Sequence, residues 1–244
     1  MFPIDEPPLD AELIGSRFSL LVERLRAVAE ASGRDPDAVR VVAVTKGFDL
    51  PVVRAAGAAG LTRFGENRLQ EAIPKVAALP DAEWHLVGRL QANKARQAVR
   101  AFRVIHSVDS LELMRRLDRI AAEESLAPTL LLQVNVTGEE TKAGFALPWF
   151  EDQLQRSGQL AAAVAQAGAA RVTGLMTIGP ARGDGREAGA TFATLRRLRD
   201  ALEQLTGDPL PELSMGMTAD ADAAVAEGAT LVRVGTAIFG PRPG

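Results

Sequence analysis

Lys46 is the residue whose position in this sequence most directly suggests chemistry. It follows the apolar run Val41–Thr45, and Gly47 comes directly after it. A lysine held among apolar walls loses hydration of its charged form, so its pKa falls and the neutral amine becomes a nucleophile. Such an amine condenses with an aldehyde to give a Schiff base. Alternatively, the stem of Lys46 covers apolar surface while its ammonium reaches water, and position alone leaves both readings open.

Two motifs rich in glycine and hydroxyl residues follow the last two apolar runs, in the segments LSMGMTAD and LVRVGTAIFG. Glycine lets a backbone approach an anion closely, and the N–H groups that open a helix donate hydrogen bonds to it. Two such motifs at adjacent strand ends favour a phosphate site, although each could also be a simple turn and helix cap, with Thr218 as the N-cap. The residues concerned are Ser214, Gly216, Thr218, Gly235 and Thr236.

Arg233 lies within the second of these motifs and alternates with apolar neighbours. It shares a strand face with Gly235, two residues further on. A guanidinium in an apolar strand is costly unless it has a partner or lines a polar pocket. An ion pair with a carboxylate and a place in a polar pocket are therefore both open for Arg233.

The elements that must position these residues alternate between short apolar runs and amphipathic stretches. The predicted strands are Val41–Thr45, Thr62–Gly65, Trp84–Gly88, Arg103–Ser107, Thr129–Val136, Arg171–Ile178, Glu212–Met215 and Leu231–Gly235. A helical pattern follows each of the first seven, for example over Leu50–Ala59, Leu111–Glu124, Glu187–Leu205 and Ala219–Glu227. Another helix, with Ile14, Phe18, Leu21 and Leu25 at helical spacing, precedes the first strand.

This alternation predicts an α/β fold with a parallel sheet. Eight such units in a chain close to ~250 residues predict a single (β/α)₈ TIM barrel with an extra N-terminal helix. An open doubly wound sheet is the alternative, but no glycine-rich dinucleotide turn follows the first strand. We expect one domain over residues 1–244, with residues 1–9 as a flexible tail and a mobile loop over Gly179–Arg186.

Composition excludes several classes of function. The 244 residues are 47% apolar and 24% charged, with a net charge of -3, no cysteine and two histidines. Disulfides, thiolate metal sites and thiol nucleophiles are therefore excluded, and a histidine-rich metal centre and nucleic-acid binding are disfavoured. There is no secretion signal and no apolar run near the ~18 residues that a membrane span needs, which predicts a cytoplasmic protein.

Eight segments taken together resemble the pyridoxal phosphate homeostasis proteins, a small barrel family related to the N-terminal domain of alanine racemase. They occur in order from about Val41 to Gly240. The segments are VAVTK, RFGENRLQEA, WHLVGRLQANK, IHSVDS, LLQVNVTGEETKAGF, GLMTI, LSMGMTAD and LVRVGTAIFG. The sequence departs from the family pattern at Arg89 and at Thr218–Ala219, and neither departure touches Lys46 or Arg233.

The resemblance implies a set of residues that bind pyridoxal 5′-phosphate (PLP). Lys46 matches the lysine that forms the aldimine with PLP, Arg233 matches the arginine that faces the pyridine nitrogen, and Asn67 matches a pocket residue beside the cofactor. The matches to the phosphate-binding segments are Ser214, Met215, Gly216, Gly235 and Thr236. The resemblance also covers Lys142, as a possible guide for the cofactor, although a solvated loop lysine is the preferred reading there.

The absence of tyrosine bears on whether such a barrel is an enzyme. Racemisation needs a base on each face of the α-carbon, and in the alanine racemase pattern these are a lysine and a tyrosine. This sequence has no tyrosine and no cysteine, and we interpret His85 and His106 as core or rim residues, with His106 the better placed to reach the pocket. The sequence also ends at Gly244 without the β-rich domain of the racemases, so we expect an open site and a monomer.

The resemblance, together with the missing second base, implies a non-catalytic PLP-binding protein that takes part in vitamin B6 homeostasis, and thereby influences amino-acid and keto-acid metabolism. PLP-dependent apoenzymes would be its recipients. A weak PLP-dependent amino-acid racemase is the first alternative. A phosphate-ester enzyme without PLP, in which Lys46 pairs with a substrate anion, is the second.

Overall fold

The computed structural model describes residues 9–181 and 185–242. The tail predicted over residues 1–9 therefore lies outside the described residues except for Leu9. Residues 182–184 of the loop predicted over Gly179–Arg186 also lie outside them. Within the described part of the chain, no helix is both long and apolar enough to cross a bilayer, and no cluster of three potential metal ligands occurs.

Eight parallel strands form a closed barrel, which confirms the predicted fold class. Each strand pairs with the next along the chain, and β1 pairs with β8 to close the ring. The barrel strands are β1 (Arg40–Val44), β2 (Arg63–Glu66), β3 (Glu83–Leu86), β4 (Val104–Val108), β5 (Thr129–Asn135), β6 (Arg171–Met176), β7 (Glu212–Ser214) and β8 (Leu231–Val234). A two-residue strand that was not predicted, Phe145–Ala146, pairs with the end of β5.

Ten α-helices surround the barrel in the described residues. They are α1 (Ala11–Ala31), α2 (Leu50–Ala58), α3 (Leu69–Ala78), α4 (Ala95–Ala101), α5 (Leu111–Glu124), α6 (Leu147–Asp152), α7 (Gln159–Gln166), α8 (Gly185–Thr206), α9 (Ala221–Ala226) and α10 (Thr236–Phe239). Because α10 has only four residues, α1 packs against α2, α9 and α10. The predicted N-terminal helix thus fills the place in the outer layer that a full eighth helix would take.

Helix α9 begins later than predicted. Asp220 is its N-cap residue, and the Asp220 carboxylate accepts a hydrogen bond from the Met217 N–H at 2.6 Å. The interpretation of Thr218 as the N-cap is therefore wrong, because Thr218 lies two residues before the cap. Thr218 therefore belongs to the loop between β7 and α9.

Strand β1 is apolar on both faces, as its continuous apolar run predicted. Val41 and Ala43 pack outward against the helices, whereas Val42 points inward and packs with an interior cluster. The other members of that cluster are Val104, Leu131, Met176 and Leu231. Burial on both faces explains why β1 reads as a continuous apolar run, without the alternation of a half-exposed strand.

A buried ion pair fixes the end of β1, directly before Lys46. The Lys75 ammonium on α3 donates to the Glu66 carboxylate at 2.7 Å and to the Thr45 carbonyl at 2.9 Å. The Thr45 hydroxyl donates to the same Glu66 oxygen at 2.6 Å. These contacts join β1, β2 and α3 at the level where the chain turns toward Lys46.

Loss of one partner of this pair should destabilise the protein strongly. We expect Lys75→Met to lower the free energy of unfolding by about 3–5 kcal/mol, because it leaves the Glu66 carboxylate buried without its cation. Urea denaturation measures the change. The double variant with Glu66→Leu removes both charges and should recover most of the loss. If the single variant is as stable as the double variant, the ion pair does not have this role.

Candidate functional site

A cavity of about 380 Å³ lies at the carboxyl ends of the barrel strands. It brings together five of the eight residues that the sequence predicted for cofactor binding. These are Lys46, Asn67, Arg233, Gly235 and Thr236. The other described lining residues are Val44, Phe48, Val87, Met176, Ile178, Met217, Thr218, Ala219, Gly240 and Arg242. The walls are thus mainly apolar, with a few polar groups that converge on one space, as in most small-molecule sites.

The pairing of β1 with β8 places Lys46 near Arg233. Val42 on β1 is in register with Arg233, and Ala43 is in register with Val234. After β1 the chain turns at Gly47, whose φ of +78° is one that residues with a side chain rarely adopt. The turn leaves Lys46 half-buried at the cavity wall.

The cavity is electropositive. Lys46, Arg233 and Arg242 line it, and no aspartate or glutamate occurs among its described lining residues. The pKa of the Lys46 amine is lowered, first by burial and then by the positive charges of Arg242 and Arg233, with Glu66 acting in the opposite direction. A larger fraction of Lys46 is therefore the neutral, nucleophilic amine than for an exposed lysine. No sequence motif marked Arg242, which lies beyond the last strand.

Arg233 is buried and holds two hydrogen bonds inside the barrel. One terminal nitrogen, Nη1, donates to the Ser214 hydroxyl at 2.6 Å, and the other, Nη2, donates to the Thr177 carbonyl at 2.8 Å. No carboxylate in the described residues lies within 4.0 Å of the guanidinium, so the structure favours the polar-pocket reading over the ion pair. Burial lowers the pKa of Arg233 to about 10, which leaves it protonated at neutral pH.

The other three predicted residues lie behind the cavity wall and are absent from its described lining. Ser214 is fully buried between Arg233 and His106, and Met215 is fully buried in the core. Gly216 has a φ of +89°, and a Cβ atom there would lie 2.5 Å from the Cβ of Ala224. Gly216 therefore permits close packing of α9, while Met217, Thr218 and Ala219 form the lining in this region.

His85 and His106 both lie in the buried interior of the barrel, as the core reading predicted. His85 Nδ1 lies 2.8 Å from His106 Nε2, and His106 Nδ1 lies 2.8 Å from the Ser214 hydroxyl. Neither histidine is among the residues that line the cavity. Burial is the first cause that lowers the pKa of each imidazole, and the pKa of His106 falls well below its ordinary value.

The preferred interpretation of Lys142 as a solvated loop lysine is wrong. Its side chain is only 11% exposed, and its ammonium donates to Glu139 at 2.5 Å and to the Gly179 carbonyl at 2.7 Å. It lines a second cavity, of about 730 Å³, that shares Asn67 with the first. The loop after β5 is thus tied to the loop after β6 through the lysine.

The chain resembles known proteins over most of its length. The model of the alanine racemase N-terminal domain family matches residues 19–243. Pyridoxal phosphate homeostasis proteins of a Synechocystis species and of Pseudomonas aeruginosa are 41% and 42% identical to it, over 85% and 94% of this chain and 93% and 96% of theirs. The structure of PipY from Synechococcus elongatus with PLP bound superposes with a TM-score of 0.78 and 42% identity, over 93% of this chain and 100% of PipY.

The barrel, with its lysine at the end of the first strand, is of the alanine racemase N-terminal-domain class. Within that class the identities above show that the chain belongs to the pyridoxal phosphate homeostasis protein family.

The buried histidines should make stability depend on pH in a defined window. The native pKa of both is below the ordinary value of 6.5, so the unfolded chain binds more protons as the pH falls below 6.5. Their contribution is complete above pH 6.5 and is lost as the pH falls toward their native pKa values. We expect the free energy of unfolding, measured in urea, to decrease between pH 6.5 and about pH 5.

The carboxylates with lowered pKa values cannot account for this window. The pKa of Glu83 falls from 4.5 to about 2, so its contribution is lost only below pH 4.5. A variant with His85→Gln and His106→Gln is the matched control and should show a flatter profile. A constant stability of the unaltered protein across the window would contradict the buried, neutral state of the histidines.

Proposed function

We propose that this protein binds PLP in the cavity beside Lys46, holds it as a Schiff base on the Lys46 amine, and acts in vitamin B6 homeostasis as a carrier. The observation that carries the proposal is one electropositive cavity that combines a lysine of lowered pKa with two guanidinium groups and with glycine and hydroxyl residues at two adjacent strand ends. The proposal extends to this chain what is known of PipY, which has been solved with PLP bound.

The residues present fit the chemical groups of PLP. Lys46 supplies the amine for the aldehyde, since amine and aldehyde join as a C=N bond with release of water. Gly235, Thr236 and Thr218 suit the phosphate, because glycine admits an anion close to the backbone and the hydroxyls donate to it. The volume of about 380 Å³ lies in the range of small-molecule sites.

Arg233 would face the pyridine nitrogen and set the electronic character of the bound ring. A guanidinium has donors and no acceptor, so it disfavours a proton on the ring nitrogen. The ring is then a poorer electron sink than one paired with a carboxylate. This supports storage and release of the cofactor over carbanion chemistry.

The residues around the cavity also support a carrier. The sequence contains no tyrosine or cysteine, and the described lining of the cavity contains no histidine, aspartate or glutamate. Lys46 therefore has no evident partner to act as a base on the opposite face of a substrate. We propose that PLP is delivered in the cytoplasm to PLP-dependent apoenzymes, with indirect effects on amino-acid and keto-acid metabolism.

Borohydride reduction tests the attachment point directly, since it converts a Schiff base into a stable amine. The chain has only four lysines, at positions 46, 75, 94 and 142. After incubation with PLP and reduction, we expect peptide mapping to find the adduct on Lys46. The protein with PLP bound as a Schiff base should be yellow before reduction, and Lys46→Ala should lose both this colour and the adduct.

Two matched lysine variants serve as controls for this mapping. Lys94→Ala and Lys142→Ala should keep the adduct on Lys46, because neither residue lines the proposed PLP cavity. An adduct at another lysine, or no adduct, would overturn the proposal. Exchange of the α-proton of added alanine at an enzymatic rate would be consistent with the proposed PLP site, but it would contradict the carrier function and favour a racemase.

Arg242 provides a second test, through the pKa of Lys46. Its positive charge lowers that pKa, so Arg242→Gln should raise it and move the pH profile of Schiff-base formation upward. Stopped-flow absorbance with added PLP measures the rate at each pH. Arg119→Gln, which removes a 67% exposed side chain on α5, should leave the profile unchanged. An unchanged profile in Arg242→Gln would show that Arg242 does not tune the amine.

A further inference from the structure

A continuous line of hydrogen bonds runs through the barrel interior to Arg233. The Arg233 Nη1 atom lies 2.6 Å from the Ser214 hydroxyl, and that hydroxyl lies 2.8 Å from His106 Nδ1. His106 Nε2 lies 2.8 Å from His85 Nδ1, and His85 Nε2 lies 3.0 Å from a Glu83 oxygen. Four strands contribute to this line, namely β3, β4, β7 and β8.

The two ends of the line fix the direction of every bond in it. Arg233 can only donate, and an ionised Glu83 can only accept. With both imidazoles neutral, His85 must place its proton on Nε2 to reach Glu83, so its Nδ1 must accept. His106 must then donate from Nε2 and accept at Nδ1, where the hydroxyl of Ser214 supplies the proton.

The charged groups around the line agree with neutral imidazoles. After burial, which is the largest cause for both rings, Arg63 and Arg40 lower the pKa of His85 against the opposing effect of Glu83, and Arg233 lowers the pKa of His106. These three guanidinium groups are positively charged, and both rings are at least nine-tenths buried. A second proton on either ring would place another buried cation beside them, which is unfavourable.

We propose that Ser214, His106, His85 and Glu83 form a polarised hydrogen-bonded chain that positions Arg233 toward the cofactor cavity. This inference rests on the proposed function, since it assigns Arg233 to the bound ring. The four residues are positioning residues, because none of them lines the cavity. The Thr177 carbonyl fixes the other terminal nitrogen of Arg233, so the chain determines the remaining freedom of the guanidinium.

The hydrogen-bonded chain ends at Glu83, at the end of the barrel opposite the cofactor cavity. Glu83 begins β3, its side chain is 41% exposed, and it forms an ion pair with Arg63 at 3.2 Å. It also lines a separate surface cavity of about 510 Å³. The buried polar groups thus connect a solvent-accessible carboxylate at the amino ends of the strands with the cofactor cavity at their carboxyl ends.

Histidine NMR tests the direction of the chain without any cofactor. The sequence has only two histidines, so a sample with ¹⁵N-labelled histidine and no tag gives the Nδ1 and Nε2 signals of only two imidazole rings. We expect both rings to be neutral, with the proton on Nε2, at neutral pH. A charged ring, or a ring with its proton mainly on Nδ1, would overturn the proposed chain.

A set of variants tests the effect on the cofactor site. We expect His106→Leu to leave the His85 proton on Nε2, where Glu83 still accepts it, and to speed PLP release by about tenfold, because the Ser214 hydroxyl that contacts Arg233 loses its own acceptor. Val104→Ala is the matched control, since Val104 is an apolar interior residue in register with His85. It should leave the His85 tautomer unchanged and PLP release within about twofold of the original rate.

Two further variants, His106→Asn and Glu83→Leu, distinguish this positioning role from a purely structural one. His106→Asn keeps an acceptor for Ser214 where Nδ1 stands, so it should restore most of the slow release. If His106→Leu does not fold, Glu83→Leu at the exposed end provides the test, because it removes the acceptor of the His85 Nε2 proton and should divide that proton between the two ring nitrogens. Equal release rates in His106→Leu and Val104→Ala would overturn the proposal. Failure of PLP to bind the unaltered protein, with the tautomers as expected, would instead contradict the proposed function alone.

Discussion

The parallel pairing of β1 with β8 is the constraint on which the site depends. It closes the barrel, and its register, with Val42 opposite Arg233 and Ala43 opposite Val234, brings the end of the first strand beside the end of the last. A cation from each of these strand ends, Lys46 and Arg233, therefore meets in one cavity. Phe48 and Phe239, whose rings lie 5.2 Å apart, pack where the two strand ends continue into the helical layer. A slip of one residue would reverse the face of every side chain on β8 and remove Arg233 from the interior.

Positive charge in a mainly apolar cavity is unfavourable, and the structure accommodates Arg233 and Lys46 in different ways. Arg233 stays protonated at neutral pH because its pKa, which burial lowers to about 10, is still well above 7, and Ser214 and Thr177 accept its hydrogen bonds. Lys46 has no comparable buried acceptor among the described contacts, and its pKa falls from an ordinary value that is already lower than that of an arginine. The same electropositive environment thus produces a fixed cation at one wall and a reactive amine at the other. Both properties suit an anionic aldehyde.

Several features of the site could be read from the sequence, and others could not. The alternation of apolar runs and amphipathic stretches was enough to predict the barrel, whereas the position of Lys46 after the first run left a reactive amine and a solvated ammonium both open, and the family resemblance was needed to choose between them. The motif after β7 was a weaker guide, because Ser214 and Gly216 lie behind the cavity wall while the next three residues line it. The reading of Lys142 as solvated was wrong, since its acceptor at Gly179 lies 37 residues away on another loop.

The sequence by itself determined the order of the strands and which side chains of each strand face inward, because a strand alternates its faces with a period of two. Only the tertiary structure decided which inward side chains lie at the same height in the barrel. His106 and Ser214 meet across 108 residues of sequence, and Arg34 reaches the Ala229 carbonyl across 195. Such meetings depend on the register between strands and on the tilt that closes the barrel. Local periodicity carries no information about either, so the buried chain from Glu83 to Arg233 emerged only when the strands were assembled.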